Sequence, residues 1–179
     1  MIILASQSPR RRELIKKITT DFTVIPADVD ESIIHVPACD LPGELSKMKA
    51  YDIFQRYPND KILACDTVVI IDGEVLGKPH TKEKASEMLH KLSGRKHVVI
   101  SGYTLISKEK EITRTVRTYV YFNKLSDELI DKYIATGSPM DKAGAYGIQD
   151  KDFDLVNHIE GSFDNVIGLP TEDLKAHWF

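Results

Sequence analysis

Cysteine is scarce in this chain of 179 residues: Cys39 and Cys65 stand far apart, and no C-x-x-C occurs. That pattern excludes a disulfide framework and a structural zinc site, and it fits a reducing cytoplasm. Long uncharged apolar runs are missing as well, so no membrane-spanning helix is expected. The start lacks a basic stretch ahead of an apolar one, which argues against a signal peptide. No strong excess of one charge exists either. With a net charge of −3, neither nucleic acid nor an acidic membrane is an expected partner, and any positive charge meant for phosphate must be concentrated locally. The six histidines form no pair at metal-ligand spacing. No G-x-x-x-x-G-K-[ST] loop, G-x-S-x-G elbow or G-x-G-x-x-G fingerprint is present. Internal repeats, low-complexity segments and clear linkers are absent.

What is present is ordinary in bulk and unusual in detail. Apolar residues make up 42% and charged residues 28%, enough for one domain with a sizeable core or two small lobes. The unusual detail begins at residue 2. Ile2-Ile3-Leu4 reads as a buried strand. Ser8 is a good N-cap and Pro9 suits the first helical position, so a helix starts there with Leu14, Ile15 and Ile18 inward. Arg10, Arg11 and Arg12 fill its first turn, where the helix dipole prefers acid. A serine-rich turn, helix N–H groups and arginines together suit phosphate. From this stretch alone, an anion site and a surface helix with solvated arginines both remain open.

Strands and helices then alternate. Phe22 to Ile25 reads as a strand leading into an acidic turn, Asp28, Asp30 and Glu31. Val36 to Gly43 is irregular, and a helix is expected from Gly43 to Tyr57. Lys49 lies between Leu45 and Ile53 on its apolar side, so it either snorkels to water or enters a polar pocket. Ile62 to Ile71 reads as a central strand buried on both faces, with a hairpin at Asp72-Gly73 and a return through Glu74 to Leu76. Thr81 caps a helix to about Ser93. His97 to Ser107 and Ile112 to Phe122 are long strands, and Ser126 caps a helix to about Ala135. A glycine-containing loop follows from Gly137 to Gln149, suited to close backbone approach to a ligand or to a plain long connection. Phe153 to Ile159 and Asn165 to Ile167 read as strands, and Pro170 opens a short helix containing Leu174 and Trp178. The order implies an α/β domain with a mixed sheet, which two lobes would also accommodate.

Asp66 is the residue out of place, because a carboxylate inside an apolar strand is costly unless paired, metal-bound or protonated. Lys78, in Gly77-Lys78-Pro79, brings a cation after the return strand. Glu31 and Asp66 suit Mg²⁺ or Mn²⁺, and Arg10, Arg11, Lys49 and Lys78 suit a polyphosphate.

These residues sit in blocks that resemble a known family. Ile3-Leu4-Ala5-Ser6-Gln7-Ser8-Pro9-Arg10-Arg11 is similar to the opening signature of the Maf nucleoside triphosphate pyrophosphatases. Ala64 to Val69, Leu76 to Pro79, Asp141 to Gln149 and Val166 to Pro170 agree in order and spacing over nearly the whole chain. The resemblance implies a single Maf-like domain over residues 1–179, with an inosine-triphosphatase-like α/β fold: a mixed twisted sheet flanked by helices, with two lobes around a cleft as an option. It also implies a homodimer as a common state, a divalent metal (Mg²⁺ or Mn²⁺), and cleavage of a nucleoside triphosphate to the monophosphate and pyrophosphate. By motif position, Ser6, Arg11, Glu31, Lys49, Asp66 and Lys78 form the catalytic pocket, with Asp66 as proton acceptor. Arg10, Thr67 and Gln149 match the base-selecting positions of the branch acting on dTTP and UTP. The chain departs from the pattern at Ala64-Cys65, where Gly-Ala is usual, which narrows the space beside Asp66. It departs again at Asp150, Lys151, Asp152 and Asp154, where small apolar residues are usual, and at Phe163, where tyrosine is usual.

The reading is therefore a cytoplasmic, metal-dependent pyrimidine-nucleotide pyrophosphatase, with Glu31 and Asp66 on the metal. Two other readings share these residues: a nucleotide-binding regulator of cell division without turnover, and a purine-directed house-cleaning pyrophosphatase. If Asp66 and Thr67 serve one pocket, strict strand alternation must end or bulge there.

Overall fold

A computed structural model describes residues 1–179. A seven-stranded mixed sheet runs in the order β2-β1-β3-β5-β6-β7, with β4 paired to β3. The strands are β1 (Ile2–Leu4), β2 (Thr23–Val24), β3 (Lys61–Ile71), β4 (Glu74–Leu76), β5 (Lys96–Ile106), β6 (Glu111–Phe122) and β7 (Val156–Glu160). The helices are α1 (Pro9–Ile15), α2 (Leu41–Arg56), α3 (Lys82–Leu92), α4 (Asp127–Ala135), α5 (Phe163–Ile167) and α6 (Thr171–Ala176). None of them is long and apolar enough to cross a membrane. The chain forms two compact units: residues 1–67, 100–116 and 164–179, and residues 68–99 and 117–163.

In the first unit, β1 pairs in parallel with both β2 and β3. Side chains alternate across these strands, and each face has its own core. Leu4, Leu63 and Cys65 pack with Leu14 and Ile15 of α1 and Leu174 of α6. Ile3, Ile62 and Ala64 pack with Ala50 and Ile53 of α2. So β1 leads to β2 through a helix on one face, and β2 leads to β3 through a helix on the other. The point where the winding reverses, beyond the carboxyl end of β1, is where open α/β sheets leave a ligand crevice.

In the second unit, β3 turns back into β4 through Asp72 and Gly73, with φ of 53° and 75°. Both central residues in the left-handed region make the turn expected of an Asp-Gly hairpin. Ser8, Thr81 and Ser126 cap α1, α3 and α4 with their side chains, as expected.

Several boundaries differ from the sequence expectation. α1 ends at Ile15, so Ile18 meets the core from the following turn. α2 begins at Leu41 because Pro42 fits its first turn, where no N–H is needed. Residues 22–25 give only two paired positions, and Lys151–Phe153 is a 3₁₀ turn ahead of β7. Asn165 to Ile167 is helix α5 rather than a strand, since a short apolar run does not distinguish the two. The bonds that close it are helical ones: the Asp164 carbonyl accepts from the N–H groups of Gly168 and Leu169, four and five residues on, at 3.0 and 3.1 Å.

Candidate active site

The first unit gathers most of the residues singled out by sequence. β1 stops at Leu4, so β3 runs beyond its last pairing with β1 at Leu63. Asp66 and Thr67 lie in this overhang. No bulge is needed, because the two side chains obey the alternation and take partners from opposite faces. Asp66 shares the α2 face with Ile62 and Ala64, and Thr67 shares the α1 face with Leu63 and Cys65.

On the α2 face, Lys49 enters a polar pocket rather than snorkelling. Its Nζ lies 3.0 Å from Asp66 Oδ1 and 2.9 Å from Glu31 Oε1. Burial works against the ammonium charge, as does Arg11. Asp66 and Glu31 outweigh both and hold the Lys49 pKa above its ordinary value. The Glu31 end is more open: that side chain is 51% exposed, against 15% for Asp66. Glu31 opens a 3₁₀ turn capped by Asp30, whose carboxylate accepts from the Ser32 N–H at 3.0 Å.

On the α1 face, Arg11 Nε donates to the Gly168 carbonyl at 2.8 Å and Nη2 donates to Thr67 Oγ1 at 3.1 Å. Thr67 Oγ1 is also 2.7 Å from Ser101 Oγ. Arg10 is half-buried and Arg12 exposed, in line with the helical spacing. The N–H groups expected to be open to an anion are partly used. Ser8 N–H donates to Ser6 Oγ at 3.1 Å, and Arg11 N–H donates to Ser8 Oγ at 3.3 Å. α1 has only two turns behind these groups, so its side chains rather than its N–H groups are what it offers an anion. Cys65 is buried, and burial pushes its thiol pKa up. Its Sγ faces the Gly168 carbonyl at 3.4 Å, so it fills the α1-side core instead of narrowing the space beside Asp66.

Lys78 and Gln149 belong to the second unit, where both are exposed. Their segments are joined there, because Gly144 N–H donates to the Gly77 carbonyl at 3.2 Å. The loop glycines do not all wait for a ligand. A Cβ on Gly144, whose φ is 73°, would sit 3.0 Å from both methyls of Val69. One on Gly147 would meet Lys142, Gln149 and Asp150. The loop is pinned from below: the Asp150 carboxylate accepts from Tyr133 at 2.6 Å and Ser138 at 2.5 Å, and Gly147 N–H donates to Tyr133 Oη at 2.9 Å. Buried His97 lies 2.7 Å from the Tyr146 hydroxyl, while its Nδ1 has no partner. Burial lowers the His97 pKa to about 4. A cleft of about 330 Å³, lined by Gly147, Ile148, Lys151, Ile159 and Phe163 among others, opens beside this loop, and Gln149 is not among its walls.

A metal is tested by its donors. No group of three His, Cys, Asp or Glu side chains is arranged to hold one. Glu31 and Asp66 nevertheless converge on one cation, the Lys49 ammonium. Their oxygens suit Mg²⁺ or Mn²⁺, which commonly take one or two carboxylates and complete the shell with water and substrate phosphates. The residues fit a metal that arrives with a polyphosphate. Sequence reasoning passed over Ser101 and the role of Gly168. Ser101 carries a signal, as a fully buried hydroxyl in an apolar strand; the carbonyl of Gly168 carries none.

The family model described as Maf-like protein matches residues 1–177. A Thermococcus onnurineus protein named dTTP/UTP pyrophosphatase is 46% identical over 172 residues, covering 96% of this chain and 93% of that protein. A Thermosipho africanus protein of the same name is 48% identical over 169 residues, covering 94% and 87%. Among solved structures, the Staphylococcus aureus Ham1 protein superposes with a TM-score of 0.57 at 14% identity, covering 98% of this chain and 96% of that one. That likeness carries the fold alone.

Proposed function

Because this chain belongs to the Maf family, we propose that it hydrolyses UTP and dTTP to the monophosphate and pyrophosphate. The observation that carries the proposal is Lys49, an ammonium held between Glu31 and Asp66 at 2.9 and 3.0 Å. A carboxylate fixed in this way suits a general base, and a nearby Arg11 suits the phosphates. The activity printed for the relatives supports the same substrates.

Water attacks the α-phosphorus and pyrophosphate leaves. Asp66 accepts the proton of the attacking water. Lys49 orients Asp66 and offsets negative charge as the bond to the leaving group breaks. Arg11 spends Nε and part of Nη2 on Gly168 and Thr67, which leaves the Nη1 edge for phosphate oxygens. Ser6 offers its hydroxyl on the same turn. A divalent cation on Glu31 and Asp66 would polarise the phosphoryl oxygens and acidify the water. Lys78 is assigned to the phosphates on its charge and family motif position, and Arg10, Thr67 and Gln149 to base choice on family motif position alone. The substrate class supports a cytoplasmic setting; a homodimer rests on the family resemblance.

A panel of UTP, dTTP, CTP, ATP and GTP with Mg²⁺ or Mn²⁺ tests this reading. Monophosphate and pyrophosphate are expected, fastest from UTP and dTTP, with turnover abolished by EDTA. Diphosphate with orthophosphate as the main products would overturn it.

A further inference from the structure

The Lys17–Asp164 pair lies outside the residues assigned above and has no role in them. Asp164 is 6% exposed, and its carboxylate faces Lys17 Nζ with both oxygens, at 2.9 and 2.7 Å. The Thr171 hydroxyl donates to the same carboxylate. A carboxylate so enclosed is expensive to desolvate, and a better-packed apolar residue would often serve stability as well. Its position suggests a different use. The Asp164 backbone carbonyl accepts from Gly168 N–H, and the Gly168 carbonyl in turn accepts from Arg11 Nε at 2.8 Å. Gly168 has a φ of 140°, a backbone setting open to glycine, so its carbonyl direction depends on the turn around it. Lys17 lies just beyond the end of α1 and Arg11 within its first turn. The segment from Asp164 to Thr171 therefore grips α1 at both ends.

We propose that Lys17 and Asp164 are positioning residues for Arg11: their ion pair locks the 164–171 turn, and that turn aims the Gly168 carbonyl that orients the guanidinium. The inference rests on the reading of Arg11 as a phosphate ligand. Misplacing a phosphate-binding group by about 1 Å costs up to roughly 10²-fold in rate. A guanidinium still tethered by Thr67 should lose less.

Steady-state kinetics with UTP and Mg²⁺ test this on a double-mutant cycle of Lys17→Met and Arg11→Ala. Lys17 is half-exposed, but its loss leaves the buried Asp164 carboxylate without its countercharge, so a thermal melt checks that each variant is folded before its kinetics are read. Lys17→Met should lower kcat/KM by roughly 10-fold, with the same split between kcat and KM that Arg11→Ala shows. Lys17→Arg, which keeps the pair, should stay within about twofold of the parent. In the Arg11→Ala background, Lys17→Met should cost nothing further. An equal loss in both backgrounds would overturn the proposal, because the pair would then act independently of Arg11. Full activity in Lys17→Met beside a defective Arg11→Ala overturns it while leaving Arg11 in its role. Full activity in Arg11→Ala overturns both.

Discussion

The two units hold their motif residues in opposite ways. In the first, the candidate side chains hold one another: Glu31, Lys49 and Asp66 form one chain of contacts, and Arg11, Thr67 and Ser101 form another. In the second, Lys78 and Gln149 stand exposed on segments that other residues secure, namely Tyr133, Ser138, Asp150, His97 and Tyr146. Mutual support makes substitutions in the first unit couple, whereas the second unit separates an exposed residue from the scaffold beneath it. Changes to Asp66 should therefore strike chemistry and neighbours together. Changes to Gln149 should alter selectivity without touching stability.

The largest effect is expected at Asp66. Asp66→Asn keeps the shape and removes the charge, so kcat should fall by roughly 10²-fold or more while nucleotide binding persists. Lys49→Met should also lower kcat, and the double variant should cost less than the product of the two single losses, since both break one contact. Rates of pyrophosphate release with binding measured in parallel decide it; multiplicative losses would mean the pair does not act as a unit.

The scaffold of the second unit should show in the pH dependence of stability. With His97 at about 4 in the folded protein against 6.5 as the ordinary value, the unfolded chain binds the extra proton between these limits. Stability should therefore fall as pH drops from 6.5 to about 4, by about 3 kcal/mol from this residue, and level off below. Denaturant melts of the parent and His97→Phe across this range should show a shallower fall in the variant. Identical slopes would contradict the buried, neutral histidine.

Gly144→Ala should destabilise by roughly 1–3 kcal/mol, because the new methyl meets Val69 on a left-handed backbone. Gln149→Glu should move melting stability by no more than about 0.5 kcal/mol, as for other exposed sites. It keeps an acceptor and loses the donor that uracil O4 requires, so kcat/KM for UTP should drop and the GTP-to-UTP ratio should rise. An unchanged ratio would remove Gln149 from base selection.

Residues that break a local pattern were the legible ones. Lys49 on an apolar helix face, Asp66 in an apolar strand and Arg11 where a helix prefers acid all belong to the contact chains of the first unit. The three serine and threonine caps were legible for the same reason, since each is local chemistry. Gln149 breaks no rule on an exposed loop, so only resemblance singled it out, whereas Lys78 was marked by its charge and its place just after the return strand. Lys17 and Asp164 are 147 residues apart, and a lysine near a helix end looks like any solvated charge until the fold brings its partner. Helix α5 escaped notice because it is a single short turn, and so brief an apolar run carries neither the helical nor the strand period.

Oxygen-isotope labelling tests the central claim most directly. UTP turned over in ¹⁸O-water should yield UMP carrying the label and pyrophosphate without it, as attack by water at the α-phosphorus requires. Label in the pyrophosphate, or UDP with labelled orthophosphate, would contradict the bond assigned.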